Sequence, residues 1–282
     1  MTIQQLLRAA TRTTRTAETL SDRFALALGD VLRATERRLV PLVTEAAEGR
    51  TTAIVRAAQA NRTRTQIREA LTEAGYDLLV SEASASFDQM VASVLNGRTI
   101  AELSADLTPR LEGRLDALKV LYEMDLLDEG DQVARALWKA TVRGVFSARP
   151  PKAILDDLGK IIDRSQPQIA TLYDTSVSIF GRQVEALKAG DDPETRFAYV
   201  GPVDDVMRPF CRKHVGKVYS RAEIDALDNG QLGNVFLTGG GYNCRHTFHE
   251  ISRFSELWPL GDPPKGTIPD VQDDLNELRR AA

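Results

Sequence analysis

Residues 165–193 read SQPQIATLYDTSVSIFGRQVEALKAGDDP, and this stretch decides the fold class. Ile169, Tyr173, Val177, Phe180, Val184 and Leu187 recur at intervals of four and three, which lines them along one face of an α-helix. Ser165 reads as the N-cap, with Pro167 in the first turn where its missing N–H costs nothing. The stripe stops at Gly190, and Asp191-Asp192-Pro193 reads as a turn or linker. Before that point the chain reads as helix nearly everywhere. After it the composition turns to Gly, Pro, Asn and aromatics.

Working back toward the N-terminus, Leu20, Phe24, Leu28, Val31, Thr35 and Leu39 form a second stripe, which Pro41 is expected to end or kink. Ile67, Leu71, Leu78, Leu79, Phe87, Val91 and Val94 predict a helix over about 65–95, closed by Asn96-Gly97. Leu111, Leu115, Leu118 and Tyr122 make another helix. Val133, Leu137, Val142 and Val145 make the next, which stops before Pro150-Pro151. No fixed-period repeat is present, which argues against a solenoid. Working forward, Arg196–Val200, Lys217–Tyr219 and Arg245–Ile251 are candidate strands. Ser220, with Glu223 three residues on, reads as a capping box. Ile268, Val271, Leu275 and Leu278 mark a short amphipathic tail. The expected fold is therefore mostly α: an extended helical body over 1–190, a small α+β module over 191–254, and a C-terminal tail over 255–282.

Apolar residues make up 43% and charged residues 27% of the 282, an ordinary balance for a globular protein. No run is long and apolar enough to predict a membrane span. The Arg- and Thr-rich N-terminus has no apolar core with a cleavage site, and the helical pattern runs through it, so no leader is expected. The net charge of −4 hides an asymmetry. Residues 1–72 hold twelve arginines against seven acids, a surplus of five, which leaves −9 for the remainder. Arg8, Arg12, Arg15, Arg37 and Arg38 are the candidates for phosphate contact, since the guanidinium fork grips phosphate at two points. The competing reading is a solvated helix face, because acids interleave the arginines.

Both cysteines and all three histidines fall between positions 211 and 249. They form C-R-K-H at Cys211–His214 and C-R-H-T-F-H at Cys244–His249. Two short ligand pairs about thirty residues apart are a common way to tie a small module with zinc, for which thiolate and imidazole are suited ligands. The candidate set is Cys211, His214, Cys244 and His246, with His249 as substitute. The spacing matches no standard finger, and two other readings stand beside it: buried free thiols without metal, or a disulfide. Two cysteines cannot staple a chain of this size, and a reducing cytosol is the expected place of synthesis. Asp204 and Asp205, with Arg208 close behind, read as a turn and helix N-cap with Arg208 paired to one carboxylate. Gly239-Gly240-Gly241 lacks the Lys-Ser/Thr of a phosphate loop and reads as turn geometry. No arrangement of nucleophile and base points to catalysis.

The stretches YVGPVDDVMRPFCRKHVGKVYSRAEID (199–225) and GGGYNCRH (239–246) resemble the phage head morphogenesis family, that of phage Mu protein F and the SPP1-type minor head proteins. The positions that carry the resemblance are Tyr199, Gly201, Asp205, Arg208, Cys211, Gly216, Lys217, Asn243, Cys244, Arg245 and His246. The resemblance spans about 60 residues. Many members close with Pro-His-Pro-Asn-Cys-Arg-Cys, whereas this chain has Gly-Gly-Tyr-Asn-Cys-Arg-His, with His246 at the last position, which keeps a ligand type. The resemblance implies a non-enzymatic virion component, present in several copies at the portal or head interior. It would act in head assembly and in DNA packaging or delivery, with portal and head proteins and packaged DNA as partners and no membrane. The alternatives are a toxin-associated or enzyme-derived module, such as a nuclease or transferase remnant, and a zinc-dependent DNA-binding adaptor.

Overall fold

The computed structural model describes residues 3–48, 53–95, 108–189 and 194–251. Five long helices come first: α1 (Ile3–Glu48), α2 (Ala53–Glu73), α3 (Tyr76–Val94), α4 (Thr108–Phe146) and α5 (Pro151–Ala189). A small α+β module follows: β1 (Arg196–Val200), α6 (Pro209–His214), β2 (Val218–Ser220), α7 (Arg221–Asp225), α8 (Val235–Thr238) and β3 (Thr247–Ile251). The chain is thus mostly α with a small three-stranded sheet near its C-terminus, as the periodicity predicts. Asn96-Gly97, the turn at 190–193 and the tail at 255–282 lie outside the described residues.

Four helix assignments differ from expectation, the first three for a local reason. Pro41 does not stop α1, which runs on to Glu48. Pro41 and Arg37, whose carbonyl loses its helical donor, are exposed, so water can take that bond, while buried Leu39 and Val43 continue the stripe. Ser165 and Pro167 lie inside α5 rather than at its start. The Ser165 hydroxyl donates back to the Ile161 carbonyl at 2.8 Å, and buried Ile154, Leu158 and Ile162 extend the apolar stripe upstream. The helix expected over 65–95 is two helices. Gly75 takes φ +99° between α2 and α3, a left-handed geometry that ends a helix readily. The two stripes at 111–122 and 133–145 belong to one helix, α4.

The chain divides into two compact units. One comprises Ser21–Ala85 and Lys119–Tyr173. In it Phe24 stacks on Tyr173 at 4.1 Å, and the buried Tyr76 hydroxyl donates to the Leu126 carbonyl at 2.6 Å. Arg68 joins α2 to its neighbours through Asp77 (2.9 Å) and Asp131 (2.7 Å). The other unit comprises Met1–Leu20, Ser86–Leu118 and Asp174–Ala282, and it includes the α+β module. Phe87 and Phe180 pack at 4.7 Å in it.

The sheet is antiparallel in the order β2-β1-β3. β1 is central, with Tyr199 opposite Phe248 and Ala198 opposite His249. Phe197, Tyr199, Met207, Cys211, Ile224, Val235, Phe236, Cys244 and Phe248 form the buried core over one face. Ser220 and Glu223 make the expected capping box at α7.

Gly130 lies within α4 against Tyr76, where an added Cβ would sit 2.3 Å from the ring. Alanine gains about 1 kcal/mol over glycine in a helix, but overpacking of this severity costs about 1–3 kcal/mol. Gly130→Ala is therefore expected to lower the denaturation midpoint, measured by urea titration, instead of raising it as helix propensity alone dictates.

Candidate metal centre

Three segments of the module converge on one point. β1 supplies Tyr199, α6 supplies Cys211, and the turn between α8 and β3 supplies Cys244 and His246. Cys211, Cys244 and His246 form a cluster whose ligand atoms lie within 4.8 Å of one another, so these residues could hold a metal ion. The two sulfurs are 3.6 Å apart and unbonded. The Tyr199 hydroxyl lies 3.3 Å from the Cys211 sulfur and 3.6 Å from that of Cys244, and its ring stacks on His246. Cys211, Cys244 and His246 are only 1%, 2% and 2% exposed.

Two glycines make this approach feasible. A Cβ on Gly240 would sit 2.4 Å from the Cys211 sulfur, and one on Gly201 would sit 2.6 Å from the His246 ring. The Gly240 N–H also donates to the Cys244 sulfur at 3.0 Å. These contacts explain the glycine run at 239–241: it is turn geometry, as the sequence implies, and it also makes room for the thiols.

The electrostatics favour one thiolate. The hydrogen bond with Cys211 pulls the Cys244 thiol well below its ordinary range against the opposing effect of burial, helped by His246 and the Arg182 charge. The same hydrogen bond, with burial, pushes Cys211 up. Burial, and then the two sulfurs, push the Tyr199 phenol up. His246 Nε2 is buried and has no hydrogen-bond partner among the described residues. A nitrogen of the same ring lies within 4.8 Å of both sulfurs, and such a donor set suits a soft or borderline metal ion.

Of the predicted ligands, His214 and His249 stand apart from the cluster. His214 occupies the end of the short α6, stacks on Phe210 at 4.3 Å, and its Nδ1 bonds the Tyr219 hydroxyl at 2.7 Å. His249 follows Phe248 on β3, so it points to the opposite face of the sheet. There its Nδ1 lies 2.8 Å from a carboxylate oxygen of Glu185 on α5. Neither substitutes for a member of the cluster.

The remaining motif residues surround the centre. The Gly216 N–H donates to the Tyr199 carbonyl and the Tyr199 N–H to the Lys217 carbonyl, tying the turn after α6 to β1. Asn243 takes φ 52° and its side-chain oxygen accepts from the Thr175 hydroxyl at 3.2 Å. Arg245 pairs with Asp204 at 2.5 Å and approaches Glu18 at 3.5 Å. Arg208 does not pair with Asp204 or Asp205 as expected. It precedes α6 and bonds the Gln231 side chain at 3.0 Å, while Asp205 is exposed. Arg8, Arg12, Arg15, Arg37 and Arg38 are exposed on α1, with Arg38 3.7 Å from Glu73.

One participant escaped sequence reasoning. Arg182, on α5 within the apolar stripe, is buried and donates to the carbonyls of His246 (2.9 Å), Leu237 (3.0 Å) and Cys244. Its only signal was a charge flanked by Phe180 and Val184. Beside it a small open cleft, lined by Thr13, Glu18, Asp174, Arg182, Cys244 and His246 among others, reaches the edge of the cluster.

No protein-family description, curated protein or solved structure matches the chain.

The Glu185–His249 pair gives a pH test. Burial works to raise the Glu185 carboxyl, but the charges and hydrogen bonds of His249 and Lys188 outweigh it and hold the carboxyl below the ordinary glutamate range. With a depressed native value, the stability it contributes is present above the unfolded value near about 4.3. That stability is lost as pH falls through the native value. Glu185→Gln is expected to cost about 3 kcal/mol at pH 7, with the gap narrowing in denaturation curves taken at about pH 3.

Proposed function

We propose that this chain is a non-enzymatic minor head protein of a tailed phage or prophage, with a zinc ion tying its small α+β module. The observation that carries the reading is the buried Cys211–Cys244–His246 cluster, made of the same residues that carry the family resemblance. Two thiolates and an imidazole are the donors zinc favours over harder cations. Burial supports a structural ion rather than a catalytic one, because a structural site is closed whereas a catalytic site keeps a position open to substrate. Both cysteines belong to the module's buried core, so metal binding there would contribute directly to its folding.

In this reading the module serves as a compact fixed knob, and the helices present it to portal and head proteins in several copies per virion. The exposed arginines of α1 are the candidates for contact with packaged DNA. The role is assembly and DNA packaging or delivery, and no step of bond-making chemistry is assigned to the chain.

Two measurements test the two halves of the proposal. Elemental analysis of the purified chain, refolded with zinc present, is expected to give about one zinc per chain. Cys244→Ser is expected to lose that zinc while keeping the far-UV helical signal, and a ratio near zero in the wild type would remove the metal. For the role itself, quantitative mass spectrometry of purified particles from the strain carrying the gene should find the chain at a fixed low copy number. Intact, DNA-filled particles lacking it would contradict the head assignment.

A further inference from the structure

We infer that the Tyr199 hydroxyl is the fourth donor of the metal centre, so that the set is Cys211, Cys244, His246 and Tyr199. The inference rests on the metal reading above and goes beyond it, since three side chains leave one corner of a tetrahedral ion unassigned.

The distances carry it. With bonds of about 2.3 Å to sulfur and about 2.0 Å to oxygen, tetrahedral angles separate two sulfurs by ~3.8 Å and a sulfur from an oxygen by ~3.5 Å. The sulfurs of Cys211 and Cys244 are 3.6 Å apart, and the Tyr199 oxygen is 3.3 and 3.6 Å from them. These three atoms therefore already make one face of a coordination tetrahedron of the right size. The other two histidines are held elsewhere, His214 by Tyr219 and His249 by Glu185, so neither fills the corner. The phenol is placed by rigid surroundings. Tyr199 lies on the central strand, fully buried, packed against Phe248 at 4.6 Å and Phe210 at 6.0 Å, with both backbone groups bonded to the turn after α6. The position that reads from sequence as an aromatic strand residue is in this account a ligand.

Tyr199→Phe keeps the ring and removes only the oxygen. Zinc affinity of the full chain, measured by competition with a chelating dye, is expected to fall about tenfold or more in this variant. The visible bands of the cobalt(II)-substituted protein are expected to change in energy and intensity, which a merely structural role for the hydroxyl would not cause. The wild type supplies a readout independent of the variant's folding. In a chain labelled with ¹³C at tyrosine Cζ, one of the six tyrosine resonances is expected to move downfield by several parts per million when zinc is added. Unchanged affinity with superimposable cobalt bands, or six unmoved resonances in a chain that does bind zinc, would overturn the assignment of Tyr199 and leave the metal reading standing. A wild-type chain that binds neither zinc nor cobalt would overturn the metal reading, and the assignment of Tyr199 with it.

Discussion

The guanidinium of Arg182 organises the C-terminal module. It lies buried on α5 and donates to three backbone carbonyls, those of Leu237, Cys244 and His246. Those carbonyls run from α8 through the turn that delivers the cluster. Without the guanidinium the buried His246 and Cys244 carbonyls and the part-buried Leu237 carbonyl would lose this donor, at a cost of about 1–3 kcal/mol for each buried group left unsatisfied. A buried cation is itself expensive unless it is well hydrogen-bonded. Here the compensation comes from oriented carbonyl dipoles and from the nearby Cys244 sulfur, whose ionisation Arg182 favours in turn. The turn and the thiol are thus stabilised by one side chain.

The second constraint is space. Gly201 and Gly240 allow the His246 ring and the Cys211 sulfur to approach more closely than any side chain would permit. The sheet adds alternation: Phe248 enters the core, and His249 is sent to the other face to meet Glu185. Lys188 extends that pair along α5. Helix α5 therefore engages the module twice, through a buried cation to carbonyls and through a buried carboxylate to an imidazole. Both contacts lie within one compact unit.

Much of the helical architecture was legible because apolar spacing reports a helix face directly. The errors share a cause. Pro41, Ser165 and Pro167 are residues that often mark boundaries, and each sits where solvent or a back-bond removes the usual penalty. Gly75 failed in the other sense, because the apolar pattern on both sides of it agreed well enough to hide the break. At the site, gathering of scarce residue types identified the right window and three of the four named ligands, Cys211, Cys244 and His246, while His214 stands apart. Cys211 and His214 do share one turn of α6, but the His214 ring is taken by Phe210 and the Tyr219 hydroxyl, partners that the spacing cannot reveal. Tyr199 was legible as a motif position but not as a neighbour of the sulfurs, and Arg182 was not legible at all, since strand aromatics and helix arginines are common and only three-dimensional proximity distinguishes these two.

The central claim is that the gathered sulfurs and imidazole form one closed metal centre in the module core. X-ray absorption at the zinc edge of the zinc-loaded full chain tests it most directly. The account predicts two sulfur scatterers at about 2.3 Å together with nitrogen and oxygen at about 2.0–2.1 Å. A first shell of nitrogen and oxygen alone would place the ion on acidic or histidine side chains elsewhere and contradict the account.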